Sequence, residues 1–175
     1  NYTDYLLSLN MTAVVKDFDD VYIQRIAQLT NKSNQFNLTT KRFTQAEMEA
    51  VMADDRYIRL YGKLEDKYGD NGVITVVLGR KEGTVLHIEL WLMSCRVLKR
   101  GMEDAMMDTL AAKAAAAGYT ALEGYYYPTA KNAMVREFYA GYGFEKTAED
   151  ADGNTTWRLD LAAYNPRCPH IKIET

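Results

Sequence analysis

The chain has 175 residues, 26% of them charged and 47% hydrophobic, with 21 Lys and Arg against 24 Asp and Glu. This is the composition of one globular domain long enough to bury a single core. It excludes several classes: 11 Gly and 3 Pro are too few for collagen or a disordered linker, 2 Cys are too few for a disulfide framework, and no apolar run spans a membrane.

A net charge of −3 and a pI of about 5.5 argue against a nucleic-acid surface, which needs concentrated positive charge. The first residue is Asn1, and Tyr5, Leu6 and Leu7 read as core, which suggests an origin in a longer polypeptide. Glycosylation sequons begin at Asn1, Asn10, Asn31, Asn37 and Asn154, but no signal-type apolar segment accompanies them and cysteine is scarce. A cytoplasmic setting is therefore expected.

In chain order, residues 9–15 read as a strand. Val21, Ile23, Ile26, Ala27 and Leu29 then carry helical spacing behind Asp20, a candidate N-cap. A polar connection at 32–40 precedes a second helix, opened by the capping box of Thr44 and Glu47. The period then changes to that of strands at 56–65, 72–80 and 85–94, an antiparallel meander with turns at 68–72 and 81–83. A long helix follows Gly101 and stops at Gly118, and a strand at 119–127 is ended by Pro128. Residues 131–142 read as a helix with Ala133, Met134, Phe138 and Tyr142 facing a core, and 144–147 with 155–161 form a closing hairpin. The order is β-α-α-β-β-β-α-β-α-β-β. Only the β-α-β unit over 85–127 requires a parallel pair, so the class is α/β with a mixed, mostly antiparallel sheet. One domain is expected over 1–165, with a tail at 166–175.

That order, together with NAMVREFYAGYGF at 132–144, resembles the GNAT superfamily of N-acetyltransferases, whose later motif runs roughly N-x-x-A-x-x-x-Y-x-x-x-G-F. A closer likeness lies in RIAQL at 25–29, NQFNLTT at 34–40, YGDNG at 68–72 and SCRVL at 94–98, which are similar to the C-terminal GNAT-like domain of FkbH-like proteins. The resemblance implies a domain that handles an acyl or glyceryl thioester of a carrier protein or of CoA. It also implies an acyl carrier protein and an N-terminal haloacid-dehalogenase-like domain as partners. Two alternatives stay open: a free-standing acetyl-CoA-dependent N-acetyltransferase, and a non-catalytic domain that docks a carrier protein or its pantetheine arm.

In GNAT enzymes the loop before the central helix, Q/R-x-x-G-x-G/A, offers backbone N–H groups to the pyrophosphate of acyl-CoA, as a helix N-terminus does for any anion. Here it reads LKRGME at 98–103, so only Gly101 falls on its motif position. Lys99 and Arg100 are candidate phosphate contacts, while Glu103 and Asp104 place carboxylates where the anion would sit. Strand alternation sets His87, Glu89 and Trp91 on one face and Ile88, Leu90 and Leu92 on the other, so His87 and Glu89 converge. On the GNAT template Glu89 is the candidate general base, with His87 tuning it. The same template gives Asn132 a contact to the pantetheine arm and makes Tyr139 the acid that protonates the departing thiolate.

Asn34, Gln35, Asn37 and Thr39 concentrate amides and hydroxyls on the loop that shapes the acceptor side, as substrate contacts or as turn and capping groups. Tyr125, Tyr126 and Tyr127 either line a pocket mouth or alternate between core and surface. Cys95, beside Arg96, reads as a small buried residue at a strand end rather than a nucleophile. Neither it nor Cys168 has metal-ligand spacing, so no metal is expected. The string KDFDD at 16–20 mimics a dehalogenase D-x-D opening but lacks its downstream partners, and its aspartates suit helix capping.

Overall fold

The computed structural model describes all residues, 1–175. The elements run α1 (Tyr2–Ser8), β1 (Thr12–Lys16), α2 (Ile23–Lys32), α3 (Gln45–Met52), β2 (Tyr57–Asp66), β3 (Gly69–Glu82), β4 (Val85–Met93), α4 (Met102–Ala116), β5 (Ala121–Tyr126), β6 (Glu145–Glu149), β7 (Thr155–Asp160) and β8 (Lys172–Glu174). The eight strands form one sheet in the order β6-β7-β5-β4-β3-β2-β1-β8. The pairs β4·β5 and β1·β8 are parallel and the others antiparallel. Helices α2 and α3 cover one face through Ile26, Leu29 and Met48, packed on Tyr61, Val76 and Leu90. Helix α4 and the segment after β5 cover the other, packing Met102, Met106, Leu110, Tyr139 and Phe144 against Leu60, Ile74 and Ile88. No helix is long and apolar enough to cross a membrane.

Several elements follow directly from local chemistry. Thr44 accepts the Glu47 N–H at 3.1 Å while the Glu47 carboxylate accepts the Thr44 N–H at 2.9 Å, which completes the capping box at the start of α3. Gly101 takes φ 94° at the N-cap of α4, where a side chain would be strained. The expected cap by Asp20 is not made: Tyr22 stands at the N-cap of α2 without a side-chain bond, and Asp19 holds the turn before it, its carboxylate accepting the Tyr22 N–H at 3.0 Å and its carbonyl the Ile23 N–H.

Other expectations are corrected. Residues 2–8 form a helix capped by Asn1, which leaves Tyr5 and Leu7 more than half exposed; the first strand starts only at Thr12. The expected helix over 131–142 is a chain of 3-10 turns, Ala133–Val135 and Ala140–Tyr142, held mostly by i→i−3 bonds. Its inward side chains, Asn132, Val135, Tyr139 and Tyr142, stand three or four residues apart, while Ala133 and Met134 face solvent. The segment read as a tail carries β8, which adds to the sheet edge beside β1.

The largest departure lies in β4. Leu78 pairs with Leu90 but Gly79 with Ile88, so Glu89 is an extra, bulged residue. The bulge resets the alternation. Ile88 and Trp91 pack in the α4-side core, whereas Leu90 and Leu92 pack under α2, so Glu89 and Trp91 are not on a common face.

The parallel ladder between β4 and β5 ends at the same point, at Ile88 and Gly124. Beyond it the gap is filled by residues 36–39. Leu38 N–H donates to the Trp91 carbonyl at 3.0 Å, Met93 N–H to the Phe36 carbonyl at 3.0 Å, and Tyr127 N–H to the Leu38 carbonyl at 2.8 Å. The Thr39 hydroxyl donates to the Glu89 carbonyl at 2.7 Å, which satisfies the bulge. Asn132, fully buried, locks this insert. Its amide donates to the carbonyls of Asn37 at 2.9 Å and Tyr127 at 3.0 Å, and its oxygen accepts from Thr129 N–H at 2.8 Å and the Tyr126 hydroxyl at 3.3 Å.

Replacing Asn132 by Ala strands four polar groups in the interior, each at about 1–3 kcal/mol. Urea unfolding of Asn132→Ala should show a loss of at least about 3 kcal/mol. A loss under about 1 kcal/mol would mean that Asn132 does not hold the insert.

Candidate functional site

The bulge places the Glu89 carboxylate, mostly buried, in a polar surface patch beside Arg80 and Lys41, on the face of the sheet that carries α2 and α3. Arg80 Nε lies 2.5 Å from one carboxylate oxygen and Lys41 Nζ 3.8 Å from the other. Arg80 comes from β3, where it pairs across from His87. Tyr57 and Tyr127 rim the patch; burial first, then the negative charge of Glu89, pushes both phenols above their ordinary range. Tyr125 is pushed up to about 12 by burial and then by Glu123.

His87 is mostly buried and does not touch Glu89. Its Nδ1 shares a 2.6 Å hydrogen bond with the Tyr125 hydroxyl, and the Glu82 and Glu123 carboxylates lie 3.6 and 3.7 Å from its two ring nitrogens. The two residues nominated on β4 thus belong to adjacent units: an Arg80–Glu89–Lys41 ion cluster and a His87–Tyr125 pair. Of the three consecutive tyrosines, Tyr125 and Tyr127 face the patch and Tyr126 is buried.

The start of α4 is built differently from an anion seat. Arg100 is committed to Asp66, Nη1 to Oδ2 at 2.6 Å, and the Asp66 side chain is itself nearly buried. The Lys99 backbone sits at φ 64°, and its carbonyl accepts the Tyr2 hydroxyl from α1. Pro169 Cβ stands 3.0 Å from where a Cβ on Gly101 would be. Glu103 folds into the first turn with Oε2 buried and without a partner, and desolvation raises its pKa.

The covering strap is residues 164–171, fixed by Asp108 of α4, which accepts the Arg167 N–H at 2.8 Å, the Cys168 N–H at 2.9 Å and the Tyr164 hydroxyl. The chain's own carboxylate, proline and ion pair thus crowd the start of α4, where Gly101 and Arg100 were expected with Lys99 to meet a pyrophosphate.

Two further expectations change. Tyr139 is 1% exposed, with its hydroxyl unpartnered and its ring packed against the backbone of Gly124, where an added Cβ would meet ring atoms at 2.5–2.7 Å. Burial, and then the neighbouring Tyr125, pushes this phenol well above its ordinary range. Asn132 is consumed by the insert.

Of the loop candidates, Asn37 and Thr39 are buried backbone caps: Asn37 accepts the Thr40 N–H at 2.9 Å and donates to the Ser33 carbonyl at 3.1 Å, and Thr39 caps Glu89. Asn34 and Gln35 line a separate cleft with Cys95, whose thiol is exposed rather than buried and donates to the Gln35 side-chain oxygen at 3.5 Å. No group of three or more His, Cys, Asp and Glu has metal-holding geometry. Arg80, Tyr57 and Lys41 were missed from sequence. The turn is two residues, Gly83 and Thr84, closed by the Glu82–Val85 pair, and this sets Arg80 opposite His87.

No protein-family profile matches the chain, and no curated protein matches it in sequence. Solved structures do match. The ribosomal-protein-S18-alanine N-acetyltransferase from Escherichia coli aligns at TM-score 0.63 and 12% identity, over 89% of this chain and 98% of that one. A Desulfovibrio desulfuricans chain assigned to the GNAT family of acetyltransferases aligns at 0.61 and 15%, over 86% and 99%. The spermidine N-acetyltransferase from Vibrio cholerae, solved in complex with CoA and spermine, aligns at 0.64 and 10%, over 89% and 98%. The chain therefore has the GNAT fold, a mixed sheet flanked by helices.

The buried Glu103 carboxylate carries a pH signature. Its folded pKa is raised, so the folded state holds the proton more tightly than the unfolded chain, and stability falls as pH rises from the unfolded value through the folded one. Glu103→Gln removes that fall. Thermal melts should show the variant gaining stability over the parent at about pH 7 and much less at about pH 4. An equal difference at both pH values would contradict a desolvated carboxylate.

Proposed function

We propose that this chain is a GNAT-fold acyltransferase domain of the FkbH-like kind, acting on an acyl or glyceryl thioester presented by a carrier protein rather than on free acyl-CoA. The fold supports the general class. The observation that carries the choice of donor is the closed start of α4. CoA brings a 3′-phosphoadenosine diphosphate moiety whose pyrophosphate would take the N–H groups at the start of α4, whereas a carrier-borne pantetheine arm ends in a single phosphodiester and makes no such demand on that helix.

In this reading the acceptor lies on the tyrosine-rimmed patch. Glu89, positioned by Arg80 and Lys41, receives the proton that the acceptor loses as it attacks the thioester carbonyl; the C–S bond breaks and the pantetheine sulfur leaves on the carrier, taking up a proton from water. The His87–Tyr125 pair orients the acceptor beside it. Tyr139 and Asn132 act as structure. Their burial also favours a second reading, a domain that docks a carrier without catalysis.

Calorimetry should show an acyl-loaded carrier protein binding at least about tenfold more tightly than CoA, a difference of about 1.4 kcal/mol. Low-micromolar binding of CoA would overturn the donor assignment in favour of a free-standing acetyltransferase. Glu89→Gln should slow loss of the acyl group from the carrier, followed by intact-mass spectrometry, by about 100-fold or more with carrier affinity kept. Unchanged turnover, or none in the parent, would leave the docking reading.

A further inference from the structure

A cleft of about 600 Å³ opens beyond the C-terminal end of β4. Its charged lining is Arg25 and Lys32 from α2, Arg96 after β4, and Lys131 after β5, with no carboxylate among the residues that line it. The chain as a whole has more acidic than basic residues, 24 against 21, so an acid-free lining is a departure from its surroundings. None of the four cations enters an ion pair. Arg25 bonds only Gln28, at 2.8 Å, and Arg96 is steered by the Ser94 hydroxyl at 3.2 Å and the Asn71 carbonyl at 3.4 Å.

The neutral groups complete a donor surface. The Asn34 side-chain oxygen is taken by Arg42 at 2.6 Å and the Gln35 oxygen by the Cys95 thiol at 3.5 Å, which leaves both amide nitrogens to donate. A smaller adjoining cleft, about 370 Å³, shares Asn34 and Lys131 and adds Arg42, again without a carboxylate. Arg25 is held below its ordinary pKa by burial and by Arg96, which is what neighbouring guanidinium groups without an internal counterion experience.

We propose that this cleft is a binding site for a phosphate ester, held by Arg25, Arg96, Lys32 and Lys131. Guanidinium and ammonium groups converging with amide donors match the several acceptor oxygens and the negative charge of a phosphate, and a bound phosphate relieves the mutual repulsion of the cations. The site is separate from the Glu89 patch and does not depend on how that patch works. The ester could be the phosphodiester end of a carrier-protein arm or a free phosphorylated metabolite; the chemistry recognised is the same.

Cys95 on the wall of the cleft reports its occupancy, and Cys168, exposed in the strap, is an internal control. The intact chain is treated with neutral iodoacetamide and both cysteines are followed by peptide mass spectrometry. Inorganic phosphate should slow alkylation of Cys95 at least about fivefold, relative to chloride at equal ionic strength, with Cys168 unchanged. Arg96→Gln and Lys131→Gln, both at exposed positions, should each weaken that protection. Equal rates of Cys95 modification in phosphate and chloride, or protection that survives both substitutions, would overturn the site. Protection by 4′-phosphopantetheine at lower concentration than by phosphate, with none from pantetheine, supports the site and assigns the carrier arm. Equal protection by a simple phosphate monoester supports it and assigns a free ester.

Discussion

The molecule is organised around one extra residue. Glu89 is inserted into β4 without a partner on β3, and every feature of its polar patch descends from that bulge. It turns Trp91 into the α4-side core and Leu90 under α2, and it coincides with the end of the parallel ladder to β5. It also leaves one carboxylate on the α2 side of the sheet between Arg80 and Lys41. A bulge exposes backbone groups that must be satisfied, and here residues 36–39 satisfy them by bonding β4 on one side and β5 on the other. The insert is in turn held by Asn132, so a polar side chain remote in sequence determines whether the sheet can part at all.

The same economy closes the start of α4. An N-terminus with unpaired N–H groups attracts an anion, and this chain supplies its own in the side chain of Glu103, at the cost of burying an oxygen without a partner. Leaving such a group unsatisfied costs about 1–3 kcal/mol. The Arg100–Asp66 pair and the Pro169 strap then cover what remains. The polar groups left on the α2 side are the Arg80–Glu89–Lys41 cluster and, beyond the end of β4, a cleft lined by Arg25, Lys32, Arg96 and Lys131.

Much of the fold was legible in the sequence because its determinants are local. The Thr44–Glu47 box, the change of period at β2 and the glycine before α4 each depend on residues a few positions apart, whereas the turn expected at 81–83 falls at 83–84. The site was less legible because its determinants are not. Alternation along β4 predicted a shared face for His87, Glu89 and Trp91, and only contacts with Thr39 and Gly79 make the strand bulge. The motif around Asn132 and Tyr139 pointed to the right segment with the wrong role. Its seven-residue spacing sets both side chains on one inward side, and only the packing of Tyr139 against Gly124 distinguishes a buried ring from an exposed acid. Arg100 looked free until the end of β2 brought Asp66 to it.

The account stands or falls on whether residues 36–39 and the strap are permanent parts of the structure rather than covers that a CoA ligand displaces. Amide hydrogen exchange by NMR at Leu38, Met93 and Tyr127 tests this most directly. These three N–H groups should exchange as slowly as those of the central strands, with rates unchanged by saturating CoA. Rapid exchange at all three, or a change in their protection when CoA is added, would show that the gap opens and would contradict the account.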